Sequence, residues 1–396
     1  MSETHALDGI RVIDFTTMIN GPTTALLLSD LGAEVVKVEP PDGDPWRIVA
    51  GGFMACNRGK RSIVVDLKKP EALDVVHRLI AVSDILVENA RWGVWHRLGL
   101  DYESVCKIRP DIIYVSALGH GSTGPYSGWP AYDPLLQCRS GQMVAQGGIG
   151  KPPVFHAVAV NDQACPMLGA YGAVLALLDR ARTGKGQHVE TSLTNASIAM
   201  QSGNFIDYDG IKREYPGDTG ILGLNATYRH YQAADDVWLF VLCADESHWR
   251  GLCQATGQET LFSDPRFATP EKRAENDAAL VGVLSGTFRN RTAGEWHAVL
   301  KEVGVPAAVG RTVDDLLNDP HCKETGVFEE QVHPQHGWVR LVGVVPRFSD
   351  MSGIIRRPAP LLGEHTGEVL AELGYSEEQI AALRADRVAF SAEETS

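Results

Sequence analysis

The first third of the chain alternates between short apolar strand patterns and helix patterns, and this alternation constrains the fold more than any other feature. Apolar and β-branched residues predict strands at 10–15, 33–39, 62–67, 85–88 and 112–118. Helices are predicted between them at 23–32 and 70–82. Because strands that alternate with helices at this spacing build a parallel sheet covered on both faces, the sequence predicts an α/β fold.

The loop after the first predicted strand indicates what such a sheet could bind. It runs from Asp14 to Pro22 and lacks the Gly-x-Gly-x-x-Gly pattern. That pattern is what lets a backbone approach the pyrophosphate of a dinucleotide. An NAD-dependent enzyme is therefore disfavoured.

The rest of the chain indicates a second, smaller domain. Residues 206–226 are rich in Gly, Pro and charge, which predicts a linker. A hairpin pattern at 228–243 and helix patterns at 246–256, 274–288 and 293–303 follow, which is typical of a small α+β domain. Because 396 residues exceed one compact unit, we predict an N-terminal domain over 1–205, the linker, a small domain over 227–330 and a C-terminal segment over 331–396.

The bulk composition excludes several classes of protein. The chain has 50 acidic and 36 basic residues and a net charge of −14, which argues against nucleic acid as a partner. Its 7 cysteines include no Cys-x-x-Cys pair, so neither a zinc site nor a disulfide framework is expected. The sequence contains no secretory leader and no apolar stretch of the ~20 residues that a membrane span needs. We therefore expect a cytoplasmic protein with no metal and no membrane partner.

Asp162 is the strongest candidate for a reactive side chain. It ends an apolar run at 156–161 that predicts a strand, and it precedes a helix pattern at 167–183 that is rich in Ala, Leu and Gly. A carboxylate at such a junction either caps the helix that follows or acts as a nucleophile. Residue type and position alone leave both roles open.

Several short motifs occur in the order of a known family. They are Leu7-Asp-Gly-Ile-Arg-Val-Ile-Asp-Phe15, Leu31-Gly-Ala-Glu-Val-Val-Lys-Val-Glu39, Asn57-Arg-Gly-Lys-Arg-Ser62, Val87-Glu-Asn89, Asp162 followed by Thr183-Gly-Lys-Gly-Gln187, Asp264-Pro-Arg-Phe267 and Pro360-Leu-Leu-Gly-Glu-His-Thr366. Together they resemble the class III (CaiB/BaiF-type) coenzyme A transferases. The resemblance implies that the large domain is Rossmann-like and that segment 331–396 returns to it. It also implies an interlocked homodimer, in which two chains are threaded through each other like links.

The resemblance further implies a reaction. Family members move CoA from an acyl-CoA to a carboxylic acid, so the expected partners are these two substrates and a second copy of the chain, with no permanently bound cofactor. Asp162 matches the nucleophile of the family, which would form a mixed anhydride and then an aspartyl-CoA thioester. Backbone N–H groups at a helix start or in a glycine-containing loop would stabilise each oxyanion.

The positions that match the family's CoA contacts are spread over the N-terminal domain. They are Ile19, Asn20, Val65, Asp66, Leu67, Lys68, Asn89, Ala90, Arg91, Arg97, Pro130, Ala131, Tyr132 and Asp133. Lys68, Arg91 and Arg97 are the expected phosphate partners because they are cationic and the arginines offer bidentate donors. Lys60 and Arg61 either join them or lie on a plain turn.

Two departures from the family pattern concern binding. Pro40-Pro41 stands where relatives often carry an arginine, so one phosphate or adenine contact is either missing here or supplied by Arg47. Ile19 stands where formyl-CoA transferase has a glutamine. The run of glycines that closes over that enzyme's site is represented here only by Gly217, Gly220 and Gly223. Formyl and oxalyl substrates are therefore disfavoured.

Two other functions remain open at this point. α-Methylacyl-CoA racemases belong to the same superfamily and use the histidine of a Gly-His-Asp block. This chain has Ala131-Tyr132-Asp133 in its place, and a tyrosine with a pKa near ~10 is a poor base. The other alternative is a CoA-binding protein without transfer activity, which isotope exchange between acyl-CoA and free acid would distinguish.

Overall fold

The computed structural model describes residues 4–212 and 220–391, and these form two compact units. The first unit comprises residues 4–140, 156–206 and 321–391, and the second comprises 141–155 and the described residues of 207–320. Part of the predicted linker at 206–226 lies outside the described residues, and Gly217 is in that part. The domain boundaries given above stay a prediction.

The helices and strands of the described residues are numbered here in chain order. The strands are β1 Arg11–Asp14, β2 Glu34–Glu39, β3 Arg61–Val65, β4 Ile85–Glu88, β5 Ile113–Leu118, β6 Gln187–Ser192, β7 Gly223–Asn225, β8 Tyr228–Gln232, β9 Trp238–Leu242, β10 Ala307–Val309, β11 Phe328–His333, β12 Gly337–Val342 and β13 Ala389–Phe390. The helices are α1 Asn20–Asp30, α2 Ala50–Asn57, α3 Ala72–Ala81, α4 Val94–Leu98, α5 Tyr102–Val105, α6 Asp133–Arg139, α7 Gln142–Gly147, α8 Val160–Thr183, α9 Leu193–Ala199, α10 Glu246–Ala255, α11 Thr260–Ser263, α12 Pro270–Glu275, α13 Asp277–Phe288, α14 Ala293–Glu302, α15 Val313–Asn318, α16 Pro320–Thr325, α17 Thr366–Glu372 and α18 Glu377–Ala385. None of these helices combines the length and the apolarity that crossing a bilayer requires.

The sheet of the first unit has the strand order β13-β3-β2-β1-β4-β5-β6. Every neighbouring pair is parallel except β13 and β3, which are antiparallel. The α/β fold with a mostly parallel sheet is therefore confirmed. From β1 the chain first adds β2 and β3 on one side of the sheet and then β4, β5 and β6 on the other. The direction in which strands are added therefore reverses between β1 and β4. Open α/β sheets bind ligands at the carboxyl ends of the strands beside such a reversal.

Alternate residues of each strand pack against different helices, which explains why apolar residues occur at both odd and even positions of these strands. Val12 and Ile85 belong to a buried cluster with residues of α1 and α8, whereas Ile13 and Ile63 belong to one with residues of α3. Since successive side chains of a strand point to opposite faces, both faces of the sheet are covered. This arrangement leaves the strand ends as the exposed edge at which polar groups can gather.

The second unit contains the four-stranded sheet β10-β9-β8-β7. The predicted hairpin at 228–243 is confirmed: β8 and β9 are antiparallel, and Asp236 in their turn has a φ of 61°. The single helix predicted at 274–288 is instead divided into α12 and α13 at Asn276. Trp249 and Trp296 of α10 and α14 are buried in the core of this unit.

Candidate active site

A cavity of about 450 Å³ lies at the carboxyl ends of β1, β4 and β5. Its position matches the reversal of strand order, where an α/β sheet of this kind binds ligands. The lining residues are Thr17, Met18, Asn20, Asn89, Ala90, Arg91, Trp92, Ala117, Leu118, Gly119, His120, Ser127, Trp129, Pro130, Ala131, Tyr132, Asp162 and Leu193. Three loops that follow three parallel strands therefore meet around one carboxylate, that of Asp162.

Asp162 lies in the first turn of α8, which begins at Val160. The strand predicted at 156–161 is wrong, because residues 156–159 form no strand and the helix starts before the carboxylate. The apolar residues at 156–159 are half-buried or exposed and pair with no neighbouring strand. The helix start nevertheless presents Asp162 to the cavity.

The N-terminus of α8 is capped by Asp133 rather than by Asp162. Ala159 occupies the N-cap position and provides no side-chain cap. Instead, Oδ2 of the buried Asp133 accepts hydrogen bonds from the backbone N–H groups of Asn161 at 2.7 Å and Asp162 at 3.0 Å. The side chain of Asp162 is thus not needed to satisfy the helix start, and the capping role considered for it is wrong.

The Asp162 carboxyl is held in an environment that disfavours its charge. Burial, and after it the nearby charge of Asp133, raises its pKa to about 7. Among residues 4–212 and 220–391, no group donates a hydrogen bond to this carboxyl. A helix N-terminus favours a negative charge, but here its first N–H groups are taken by Asp133. Asp162 is therefore partly protonated near neutral pH and becomes a basic, poorly solvated carboxylate when it ionises.

The loop between β1 and α1 contributes Thr17 and Met18 to the cavity wall and is held in a strained conformation. Met18 has a φ of 70°, which is unusual for a residue other than glycine. Its N–H donates to Oδ1 of the buried Asp44 at 3.0 Å. Thr17, the residue before Met18, is held by the side chain of Asn89, which follows β4. Asn89 accepts a hydrogen bond from the backbone N–H of Thr17 at 3.0 Å and donates one to its carbonyl oxygen at 2.8 Å.

Buried ion pairs lie beneath this loop. Lys60 Nζ is 2.7 Å from Asp14 Oδ2, and Lys37 Nζ is 3.0 Å from Asp44 Oδ2, with all four side chains fully buried. Burial alone would raise the pKa of Asp14, but the charges of Lys60 and Lys37 outweigh it and lower the pKa to about 2. Lys37 also donates to Thr16 O at 2.7 Å. Lys37 of β2 thus ties the loop to its neighbouring strand through a charge-assisted hydrogen bond, and Lys60, just before β3, does the same for Asp14 at the end of β1.

The N-terminus of α1 adds backbone donors beside the cavity. Within the described part of the chain, no acceptor pairs with the N–H groups of Ile19, Asn20 or Gly21. Asn20 is 5% exposed and donates to Ala117 O at 2.9 Å, while its own Oδ1 is buried without a partner among the described residues. A buried acceptor in the cavity wall, with free helix-end donors beside it, is a feature of a ligand site.

The predicted CoA contacts fall into two groups in the structure. Eight predicted positions line the cavity together, namely Asn20, Asn89, Ala90, Arg91, Pro130, Ala131, Tyr132 and Asp162. The others do not line it, namely Ile19, Val65, Asp66, Leu67, Lys68, Arg97 and Asp133. Val65 ends β3 at the same edge of the sheet, and Lys68 beyond it is exposed, as is Arg97 on α4.

Three cations that the sequence analysis considered for phosphate are engaged in ion pairs. Lys60 is paired with Asp14, and Arg61 is 3% exposed and paired with acids that include Glu372 at 2.6 Å. Both alternatives given for these two residues, a phosphate contact and a plain turn, are wrong. Arg47 donates to Glu39 from both Nε and Nη2, at 2.7 and 2.6 Å, and lines a different cavity.

Some lining residues were not found from the sequence. They are Trp92, His120, Ser127, Trp129 and Leu193. The signal available for His120 was its place just after the predicted strand at 112–118, since ligand-binding residues follow parallel strands. Leu193 directly follows β6 and so has the same signal, whereas Trp129 had no comparable local signal.

Comparison with known proteins agrees with this geometry. A family model described as CoA-transferase family III matches residues 7–366. The chain belongs to CoA-transferase family III. The family resemblance seen in the sequence is thereby confirmed.

Relatives of this family III chain cover nearly its whole length. It is 32% identical to the succinyl-CoA–D-citramalate CoA-transferase of Chloroflexus aurantiacus, over 96% of this chain and 98% of that one. It is 32% identical to the mouse succinyl-CoA:glutarate CoA-transferase, over 95% and 88%. A crystal structure of a CaiB/BaiF family protein from Brucella suis superposes with a TM-score of 0.84 at 33% identity, over 94% and 100%.

Proposed function

We propose that this protein transfers coenzyme A from an acyl-CoA to a carboxylic acid through covalent intermediates on Asp162. The observation that carries the proposal is the state of that carboxyl: it lines the cavity, has no hydrogen-bond donor among the described residues and has a pKa raised to about 7. The family relation and the names of the relatives support CoA thioesters and carboxylic acids as the substrates.

The proposed reaction has four steps and needs no proton transfer. The Asp162 carboxylate attacks the thioester carbonyl, and CoA leaves as the thiolate, which gives a mixed anhydride. The thiolate then attacks the aspartyl carbonyl, which releases the donor acid and leaves an aspartyl-CoA thioester. The acceptor carboxylate reverses these two steps, regenerating free Asp162 and a new acyl-CoA. A carboxylate of raised basicity and poor solvation suits the first attack.

The start of α1 supports stabilisation of the oxyanions. The N–H groups of Ile19, Asn20 and Gly21 are unpaired among the described residues, and they lie at the positive end of α1. The first N–H groups of α8, in contrast, are occupied by Asp133. We therefore assign oxyanion stabilisation to the start of α1, and removing one such donor typically costs about 10²–10³ in rate.

The loop after β4 supports a position for CoA. Asn89, Ala90 and Arg91 line the cavity, and the exposed Arg91 and Arg97 offer guanidinium groups for phosphate. The pantetheine arm carries amide N–H groups, which are suitable donors for the unpaired Oδ1 of Asn20. Lys68, at the same edge of the sheet, is proposed as a further phosphate partner.

An interlocked homodimer is part of the proposal. Supporting it, α8 exposes a stripe of large apolar side chains at helical spacing: Met167, Leu168, Tyr171, Leu175 and Leu178. Exposed apolar patches of this kind typically mark protein–protein contacts. Light scattering should give twice the chain mass, and an interlocked pair should not dissociate on dilution. A monomer at micromolar concentration would contradict this part.

The decisive experiment replaces Asp162 with alanine and supplies succinyl-CoA, acetyl-CoA or formyl-CoA with a panel of carboxylic acids. We expect the variant to lose transfer while it still binds CoA, because the nucleophile is gone and the other walls remain. Asp179→Ala, on the same helix and paired with Arg182, is the matched control and should keep its activity. Retained turnover in Asp162→Ala would refute the mechanism.

A trapping experiment tests the intermediate directly. Hydroxylamine added together with an acyl-CoA should convert the aspartyl thioester to a hydroxamate, which peptide mass spectrometry would locate. The proposal requires the label on Asp162, and only when the acyl-CoA is present. A label elsewhere, or none in an enzyme that turns over, is incompatible with it.

A further inference from the structure

A second, smaller cavity of about 40 Å³ lies beside the active-site cavity. The two share Ala90, Arg91 and Trp92 in their walls. The small cavity has room for water but not for a substrate, since one water needs roughly 10–15 Å³ of such space. Its lining includes Glu88 from the end of β4, a buried carboxyl that the proposed mechanism does not use.

Glu88 is the last residue of β4 and is 2% exposed. Its Oε2 accepts a hydrogen bond from the backbone N–H of Ala90 at 2.9 Å. Ser116 and His188, which line the same small cavity, are hydrogen-bonded to each other at 2.9 Å. Burial raises the pKa of Glu88 to about 7, against the hydrogen bonds from Ser116 and Ala90 that lower it. Burial therefore disfavours the charged form of this carboxyl.

The hydrogen bond from Ala90 to Glu88 lies in the turn at 89–91, whose three residues line the active-site cavity. On one side of Ala90 in sequence is Asn89, which holds both backbone polar groups of Thr17. On the other side is Arg91, which lines the cavity. Because the turn follows a central strand directly, fixing the N–H of Ala90 fixes the direction in which both neighbours leave the sheet.

We propose that Glu88 is a positioning residue for CoA: its carboxyl holds the turn at 89–91 in the conformation that binds the acyl-CoA. The inference rests on the proposed function, because it assigns CoA to this wall of the cavity. Glu88 acts through the backbone of Ala90 and does not itself touch the substrate.

The test compares two replacements of similar size. Glu88→Gln keeps an oxygen that can accept from Ala90, whereas Glu88→Met fills the same space and offers no acceptor. Glu103→Gln, an exposed residue on the rim of the same small cavity, is the matched control. The readouts are the dissociation constant of CoA by calorimetry, KM and kcat for the acyl-CoA, and the melting temperature.

We expect Glu88→Met to weaken CoA binding and to raise KM about tenfold, which corresponds to the loss of one hydrogen bond. Its kcat should change much less, and its melting temperature should be at or above that of the wild type. Glu88→Gln and Glu103→Gln should bind CoA within about threefold of the wild type.

The outcomes separate this inference from the proposed function. If Glu88→Met binds CoA as the wild type does, or fails to fold, Glu88 serves only the fold and the inference is overturned. It is also overturned if the Gln variant is as impaired as the Met variant. A wild type that binds CoA but transfers it to no acid refutes the proposed function and leaves the binding comparison valid.

Discussion

Replacing Asp162 with asparagine should stabilise the protein while abolishing its activity. The structure puts the pKa of this carboxyl at about 7, against 3.8 for an ordinary aspartate, with burial as the main cause and Asp133 as the second. Since each pKa unit corresponds to ~1.4 kcal/mol, a difference of about 3 units means that the ionised carboxyl destabilises the folded state by at most about 4 kcal/mol. Because the side chain is partly exposed, solvent screens the charge and we expect about 1–3 kcal/mol.

The sign of the effect follows from proton binding. The folded state binds the Asp162 proton more tightly than the unfolded state does, so the carboxyl disfavours folding only where the unfolded chain has lost that proton. The destabilisation is therefore absent below about pH 4, grows as the pH rises to about 7 and is constant above it. Asp162→Asn should show a stability gain with the same dependence.

Thermal melting at one protein concentration, at pH 6, 7 and 8, would measure this gain. The melting temperature of Asp162→Asn should exceed that of the wild type by several degrees at pH 8 and by less at pH 6. Asp179→Asn on the same helix should show no gain, since its carboxylate accepts a hydrogen bond from Arg182 at 2.9 Å. A gain that is absent, or that does not change with pH, would refute the proposed environment of Asp162.

Three further perturbations test the surrounding structure. In the wild type, kcat/KM should rise with pH up to about 7 and then level off, and Asp133→Asn should move this limb to lower pH, because it removes a negative charge and keeps an acceptor oxygen. Lys60→Met should lower the free energy of unfolding by about 3–5 kcal/mol, measured by denaturation, since it leaves Asp14 buried without its main partner. Asn89→Ala should raise KM for the acyl-CoA in steady-state kinetics, because it releases the loop before α1.

The sheet and the hairpin were predictable because their signals are local. Strands such as β2 and β5 are rich in apolar and β-branched residues and buried over nearly their full length, as is typical of strands covered on both faces. The turn at Asp235-Asp236 has residues that tolerate left-handed backbone, and Asp236 adopts it. The short β13 had no such signal: it is two residues long and is placed by pairing with β3, more than 300 residues earlier.

Two charged residues at the start of β3, Lys60 just before it and Arg61 as its first residue, show why part of the site could not be predicted. Lys60 and Arg61 look like surface cations in sequence, yet both are buried. Their partners are distant in the chain, with Asp14 46 residues before Lys60 and Glu372 311 residues after Arg61. A buried charge requires a partner, but sequence spacing does not identify it. The cap of α8 by Asp133, 28 residues before Asn161, was missed for the same reason.

A raised pKa alone would not have distinguished Asp162 from other buried acids. Asp30 at the end of α1 also has its pKa raised to about 7 by burial, although Arg58 lies 2.6 Å from its carboxylate. The two differ in what surrounds them: Asp30 serves an ion pair, whereas Asp162 has no donor among the described residues and lines the cavity. Asp14 gives the opposite case, because it is fully buried yet strongly acidic beside Lys60. The proposal that Asp162 is the nucleophile therefore rests on its unpaired carboxyl lining the cavity, and not on its raised pKa alone.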